Sequence, residues 1–479
     1  MERLHGRILQ KNKQLRNLGA LKTYYQIIPE KILLDLEVID ELLRPGIKGY
    51  STDNLKEVIS IIAWNIQIST KKAPLKMEYI KKLVPQGDKY LMGMLNLGIV
   101  VRSGFAIKGA TCFKYGFASE YKSKYIRLPL QNARLQRRIE RIQEGFRKET
   151  VKTVRGLSDQ IKYIKGLTIA DEFEGHIIAN YAMNTDQYNS IIASATRIIN
   201  GDFKYSRDST SGRFHTNVTN MDKHLREYLR CNGEPLVNID IKNSQPYLST
   251  IILTNPGKVS WMTKNPAFAL LLQTLKVSTY QDVKDFINYA ISGQLYEYLM
   301  REFAKEGLLL SRNETKKQVL RIFFARNRMP KDEINRRARL IFIDRFPTVH
   351  RIFSKVRGSE RGDKFTNYKR FAILLQSIES YLMLDVILKR IYKELPGTIA
   401  ITIHDSIMTG VLTNNVDAVA KIMIEELTFF VGHRPNINIE RRIEEKREEE
   451  REKRLEERID YNNNQYPATI PAMINNSMI

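Results

Sequence analysis

The stretch EPLVNIDIKNSQPYLST, residues 234–250, decides how the chain is read. Alternation puts Val237, Ile239 and Ile241 on one side of a strand and Asn238 and Asp240 on the other. The strand ends in an acidic residue and runs into a polar segment containing Pro246. An aspartate there either caps the following helix or turn or stands as a carboxylate at the end of a buried strand, and this stretch alone leaves both readings open. A second stretch, TIAITIHDSIMTGVL at 398–412, has two β-prone runs, Ile399–Ile403 and Ile407–Leu412, around His404-Asp405-Ser406. It reads as a hairpin with Asp405 at or near its turn. Two strand-end aspartates far apart in sequence, with basic helices between them, suit paired carboxylates that hold two divalent ions for in-line phosphoryl transfer; an ordinary hydrogen-bonded turn is the plainer alternative.

Three further elements fall between or before these two. Thr210-Ser211-Gly212-Arg213 precedes the first aspartate, the segment RNETKKQVLRIFFARN spans 312–327, and Gln376-Ser-Ile-Glu-Ser380 precedes the hairpin. Over residues 200–430 the chain resembles the polymerase clan that holds family A DNA polymerases and phage-type single-subunit RNA polymerases. Asp240 is similar to the motif A aspartate and His404-Asp405 to the HD of motif C. Thr210–Arg213 resembles the TGR primer–template grip, Arg312 to Lys317 the start of motif B, and 376–380 the helix before motif C. Arg345-Phe346-Pro347-Thr348-Val349 resembles the segment that follows motif B. The resemblance implies an α+β right-hand polymerase with an antiparallel palm sheet and helical fingers and thumb.

It also implies roles. Asp240 and Asp405, with the backbone carbonyl of Ile241, would hold two Mg²⁺ ions, with Mn²⁺ as a substitute; His404 would orient the primer end. Arg312 and Lys316, one turn apart on a helix, would hold the triphosphate of the incoming nucleotide, with Lys316 as proton donor to pyrophosphate. Phe324 takes the position of the family's tyrosine, and Phe323 is a second candidate for stacking on the nascent pair. Ala325 departs from the usual glycine. Gln245 falls where family A DNA polymerases carry the glutamate that blocks a ribose, so DNA is the expected product. Ser211, Gly212, Arg213, Thr216, Asn217 and Gln376 are the candidates for contacting template and primer.

Bulk properties frame the reading. With 479 residues, a formal net charge of +24 and pI ≈ 9.7, the chain suits a polyanionic partner. Cys112 and Cys231 form neither a disulfide framework nor a zinc-ligand spacing. No apolar run is expected to span a bilayer and no apolar leader opens the chain, so a cytoplasmic location is expected.

In chain order, 1–50 reads as a helical segment with Ile27, Ile28, Ile32, Leu33, Leu36 and Ile39 on one face. Residues 51–130 pattern as helices followed by a β-hairpin, a winged-helix-like domain with Arg102 and Lys108 on its wing. Residues 131–204 form a basic thumb-like region in which Arg134, Arg138 and Arg141 share a helical face. Palm follows at 205–257, fingers at 258–360 and palm again at 361–435. A charged helix is expected at 436–462, available to a protein partner, and a disordered tail at 463–479. No proofreading exonuclease motif precedes the palm. Two other readings stay in play: an RNA polymerase or primase-like enzyme of the same fold, and a non-catalytic winged-helix nucleic-acid-binding protein with a degenerate palm.

Overall fold

A computed structural model describes residues 23–440 except 68, 106, 108–110, 155, 182, 277–278, 359–366 and 412–414. The wing residue Lys108, most of the charged segment and the Asn-rich tail lie outside the described residues.

The chain enters through β1 (Tyr25–Pro29), where a helix was expected from the apolar pattern. All five residues are buried, between α1 (Thr52–Asn65) on one side and a later helix on the other. A strand covered on both faces shows a continuous apolar run, and periodicity cannot separate that from a buried helix. Gln26 is tolerated there because its amide donates to Glu57 (2.9 Å) and to the Asp53 carbonyl (3.0 Å). The unit continues with β2 (Ala73–Pro74), α2 (Met77–Leu83), α3 (Gly87–Asn96), β3 (Val100–Ser103) and β4 (Lys114–Phe117). The last two strands and β2 make an antiparallel sheet in the order β2-β4-β3, beside the three helices. Then β5 (Tyr125–Pro129) returns to pair with β1.

The long basic helix α4 (Ala133–Thr153) follows. Arg138, expected on a phosphate-facing surface, instead turns its guanidinium onto the carbonyls of Lys82 and Leu83 (3.1 Å each) at the end of α2. A cation at a helix C-terminus satisfies carbonyls that have no intrahelical partner.

The central sheet is assembled from four distant stretches. Its strands are β6 (Leu167–Ile169), β9 (Leu229–Cys231), β10 (Glu234–Ile241), β11 (Ala400–Ile403), β12 (Ser406–Gly410) and β13 (Ile437–Glu440). Between β6 and β9 lie helix α5 (Thr185–Asn200) and the hairpin β7 (Tyr205–Arg207) and β8 (Phe214–Thr216). The order is β11-β12-β10-β9-β6, all antiparallel, and β13 also pairs with β10. The central sheet thus has two strands beyond those expected from the sequence, one at 167–169 and one at 437–440, where a charged helix was expected to start. Asn232 and Gly233 join β9 to β10 with φ of 53° and 85°, the left-handed pair a two-residue turn requires.

After β10 come α6 (Ser244–Thr254), α7 (Gln281–Ile291), α8 (Leu295–Lys305), α9 (Arg312–Phe324), α10 (Glu333–Arg345) and α11 (Pro347–Arg357). Their core is aromatic. Phe286 lies 5.4 Å from Phe346 and 5.8 Å from Phe353, and Phe323 lies 5.1 Å from Phe353 between ring centroids. Phe371 joins this cluster from the start of α12 (Arg370–Glu394), 4.8 Å from Phe353. By length and composition α12 could cross a membrane, contrary to the expectation of no such run, but much of it is buried within the protein and it carries a buried ion pair described below. Its middle, Tyr381–Ile387, widens into a π-helix. A final helix, α13 (Val416–Val431), packs against α12 and β12.

Candidate active site

The ladder places the two acidic positions side by side. Asp240 is the Cα partner of Ser406 across β10 and β12, and Ser406 is the partner of Ile403 across the β11–β12 hairpin. His404 and Asp405 are thus a two-residue turn, and Asp405 is one residue from the partner of Asp240. His404 adopts φ 54°, a left-handed conformation that a non-glycine residue occupies only when its surroundings hold it there.

Electrostatics follow from this placement. Burial, then Asp405 and then Glu440 push the Asp240 carboxyl up to about 7, and Lys316 opposes them. Glu440, on β13, pairs with Asn238, so it stands on the same face of the sheet as Asp240. Burial and then Arg213 hold the His404 imidazole below its usual range, against the pull of Asp405. Among the described residues no group of three or more His, Cys, Asp or Glu side chains is placed to cage a metal ion. Two carboxylates with substrate oxygens completing the shell is the pattern of magnesium rather than of zinc or a calcium cage. Ile241, whose carbonyl the resemblance adds to that set, is buried at the end of β10.

Buried Glu379 of α12 organises the neighbouring wall. It accepts a bidentate pair from Arg213, Nε to Oε1 at 3.0 Å and Nη2 to Oε2 at 2.9 Å. It also accepts from the Gln245 amide at 2.6 Å. Burial and then Asp405 push its carboxyl upward, against the pull of Arg213. Gln376 lies one turn earlier, half-buried. Arg207 reaches the same helix, bonding Asp385 at 2.5 Å and the Gly212 carbonyl at 2.9 Å.

The loop before β8 satisfies itself. Asp208 accepts from the backbone of Thr210, Ser211 and Arg213 and from the Ser211 hydroxyl, and Gly212 takes φ 73° to let the chain turn. The Thr216 hydroxyl accepts from the backbone of Val218 at 3.1 Å, and Asn217 bonds the backbone of Lys204 and Asp202. Ser211, Thr216 and Asn217 therefore spend their polar groups on the loops around the hairpin, whereas Arg213 points across to α12.

Helix α9 begins with a capping box. Ser311 accepts from the Glu314 amide, and the Glu314 carboxylate accepts from the Ser311 amide at 2.8 Å. Arg312 is ion-paired with Glu297 at 2.5 Å and lies 5.7 Å from the Tyr296 ring centroid. Lys316, one turn on, is exposed and has no ion pair among the described residues. Phe323 is fully buried in the aromatic core, which removes it as a stacking candidate; Phe324, at the end of the helix, is half-buried.

Six residues on these elements keep a buried polar atom without a hydrogen-bond partner among the described residues: Asn238, Asn243, Gln245, Glu297, Thr315 and His404. Each such atom costs about 1–3 kcal/mol, and unsatisfied groups gathered in one region call for a ligand, ion or water. The sequence marked Glu379, with Gln376 and Ser380, as a polar stripe that could position template or primer, but did not single out Glu440 or Arg226 as site residues. Arg226 lies within electrostatic reach of Asp240, Asp405 and Glu440. Glu379 was legible as a polar stripe on an apolar helix; Glu440 merges into a charged run, and nothing around Arg226 distinguishes it.

No family model matches the chain, and no curated protein matches it. Among solved structures, the POL domain of Pol1 from M. smegmatis in complex with DNA primer-template and dNTP is similar at 10% identity and a TM-score of 0.28, over 87% of this chain and 66% of that one. The chain thus spans just under two thirds of that structure, and a likeness at this level carries no weight in the assignment.

Proposed function

We propose that the chain is a template-directed nucleotidyltransferase that extends a primer with deoxynucleotides, akin to family A DNA polymerases. The supporting observation is the convergence of Asp240 and Asp405 at the junction of β10 and the β11–β12 turn, with Lys316 within electrostatic reach. Asp240, Asp405 and the Ile241 carbonyl would hold the divalent ions, Mg²⁺ or Mn²⁺, which in this chemistry acidify the primer 3′-hydroxyl and neutralise the triphosphate.

The protein's own groups do the rest. Lys316 faces the triphosphate and donates a proton to the leaving pyrophosphate; charge developing on the phosphoryl oxygens is what it stabilises. Arg312 joins it by exchanging Glu297 for phosphate. Phe324 closes over the nascent base pair. Glu379 fixes Gln245 by its hydrogen bond, so a bulky amide sits where a ribose 2′-hydroxyl would go. Arg213, anchored by the same carboxylate, is held as a rigid contact to the primer–template, and His404 accompanies the primer end. The helices and sheet of residues 52–117 would touch duplex backbone as a winged-helix unit does.

Primer extension on a DNA template with Mg²⁺, given dNTPs or NTPs separately, tests the proposal. Extension with dNTPs alone is expected. Products from NTPs alone would assign the same site to RNA synthesis, and template binding without either product would overturn catalysis.

A further inference from the structure

Glu30–Leu34 and Leu36–Leu43 run on as one helical stretch, because the Asp35 amide still donates to the Lys31 carbonyl (3.3 Å) and the Ile39 amide to the Asp35 carbonyl (3.0 Å). Ile32, Ile39 and Leu43 face the core. Leu34, Val38 and Leu42, four residues apart, stand on the outer face and are 75%, 59% and 59% exposed. Single exposed apolar residues are ordinary, whereas a contiguous row marks an interaction face. Glu37 and Glu41, one turn apart, run along one edge of the row; both are exposed and have no ion pair among the described residues. Residues 30–43 hold five acids and one lysine in a chain of net charge +24. Two copies of such a face would repel each other, so its complement is apolar and basic.

Residues 1–22 lie outside the described residues, and their sequence has that character. At helical spacing, Leu4, Ile8, Leu15 and Leu18 fall within an arc of about 80°. Arg3, Arg7 and Lys11, each one turn apart, run along the same edge of that arc as Glu37 and Glu41 do of theirs. Edges of the same hand meet when two helices pack antiparallel. Chain length gives the same direction. The five residues of β1 cover about 17 Å before the helical stretch begins at Glu30. Gly19 to Thr23, extended, reach back over about the same distance. Leu18 then lies near Glu30, Leu15 near Leu34 and Ile8 between Val38 and Leu42, and Arg7 and Lys11 come to Glu41 and Glu37. We propose that residues 4–18 dock as a helix on the Leu34–Val38–Leu42 face of the same chain. The docking does not depend on the polymerase assignment.

The test uses the full chain with the photocrosslinker benzoylphenylalanine in place of Val38, irradiated and read by peptide mass spectrometry. A second protein carries it in place of Leu42, so that a fault in folding at one position does not decide the result. Attachment to residues 4–18 is expected at both positions. Mixing with an isotopically heavy copy of the chain separates attachment within a chain from attachment between chains. Arg7→Glu with Lys11→Glu is expected to lower the yield about fivefold, and Glu37→Lys with Glu41→Lys, added to that protein, to restore it. No attachment to residues 4–18 at either position overturns the proposal, as does attachment chiefly between light and heavy chains, which would assign the face to a second copy. A yield unchanged by the Arg7 and Lys11 substitutions, in a protein that melts like the parent, overturns the charge pairing on which the docking is argued.

Discussion

Lys316 and Arg312 sit one turn apart on α9, and their surroundings separate them. Arg312 is tied to Glu297, whereas Lys316 is without an ion pair among the described residues and within electrostatic reach of Asp240. Lys316→Ala is therefore expected to lower kcat by about a hundredfold to a thousandfold with a smaller change in KM, read by single-turnover extension. Arg312→Ala should act mainly on nucleotide KM. Away from the site, Glu57 adds its own contribution to the pH dependence of stability. Glu57 is fully buried, among the described residues accepts from Gln26 and Tyr24, and burial pushes its carboxyl up to about 7. Its folded pKa exceeds its unfolded one, so the unfolded chain releases the proton first. Stability is expected to fall as pH rises from about 4.5 to about 7, by roughly 2–3 kcal/mol. Glu57→Gln should flatten that slope in urea unfolding; an unchanged slope would show that Glu57 is ionised in the fold. At this scale the sequence showed Asp240 and Asp405 because each ends a β-prone run. It could not show Glu440, whose relation to Asp240 exists only through the pairing of β13 with β10.

Among elements, the β7–β8 hairpin and α12 are joined by Arg213 and Glu379, and both ends of that pair are largely out of water. Removing one partner of a buried pair leaves the other uncompensated. Glu379→Ala is expected to cost about 3–5 kcal/mol, and the Arg213→Ala, Glu379→Ala double variant less than the sum of the singles. Additive losses would mean that the pair does not couple the two elements. Ser311→Ala removes the cap of α9 and should cost about 1 kcal/mol. The α12 helix was legible because its apolar periodicity is strong, and α9 through the resemblance of Arg312–Lys317 to motif B. The β1 strand was not, because burial on both faces erased the alternation that identifies a half-buried strand. The π-helical turn in α12 also left no signal, since it adds one residue to a turn without changing composition.

On the scale of the molecule, one sheet gathers segments from residues 167 to 440, and the site exists only where they meet. Composition and motif order pointed to an α+β chain that suits a polyanion. The edge strands at 167–169 and 437–440 were hidden because short strands take their identity from distant partners rather than from their own residues. A chain ending at Asn436 would leave the β13 side of Ile239–Ile241 open, an unpaired edge that invites association. It is expected to aggregate or to lose extension activity in proportion to the fraction that stays folded; full activity would show that β13 is dispensable.

The convergence of Asp240 and Asp405 is tested most directly by assaying Asp240→Asn and Asp405→Asn for Mg²⁺-dependent primer extension, with primer–template affinity measured on the same preparations. Each substitution is predicted to reduce extension by about a thousandfold or more while affinity stays within a few-fold. Extension near the parent rate in either variant would contradict a shared catalytic site at these two carboxylates.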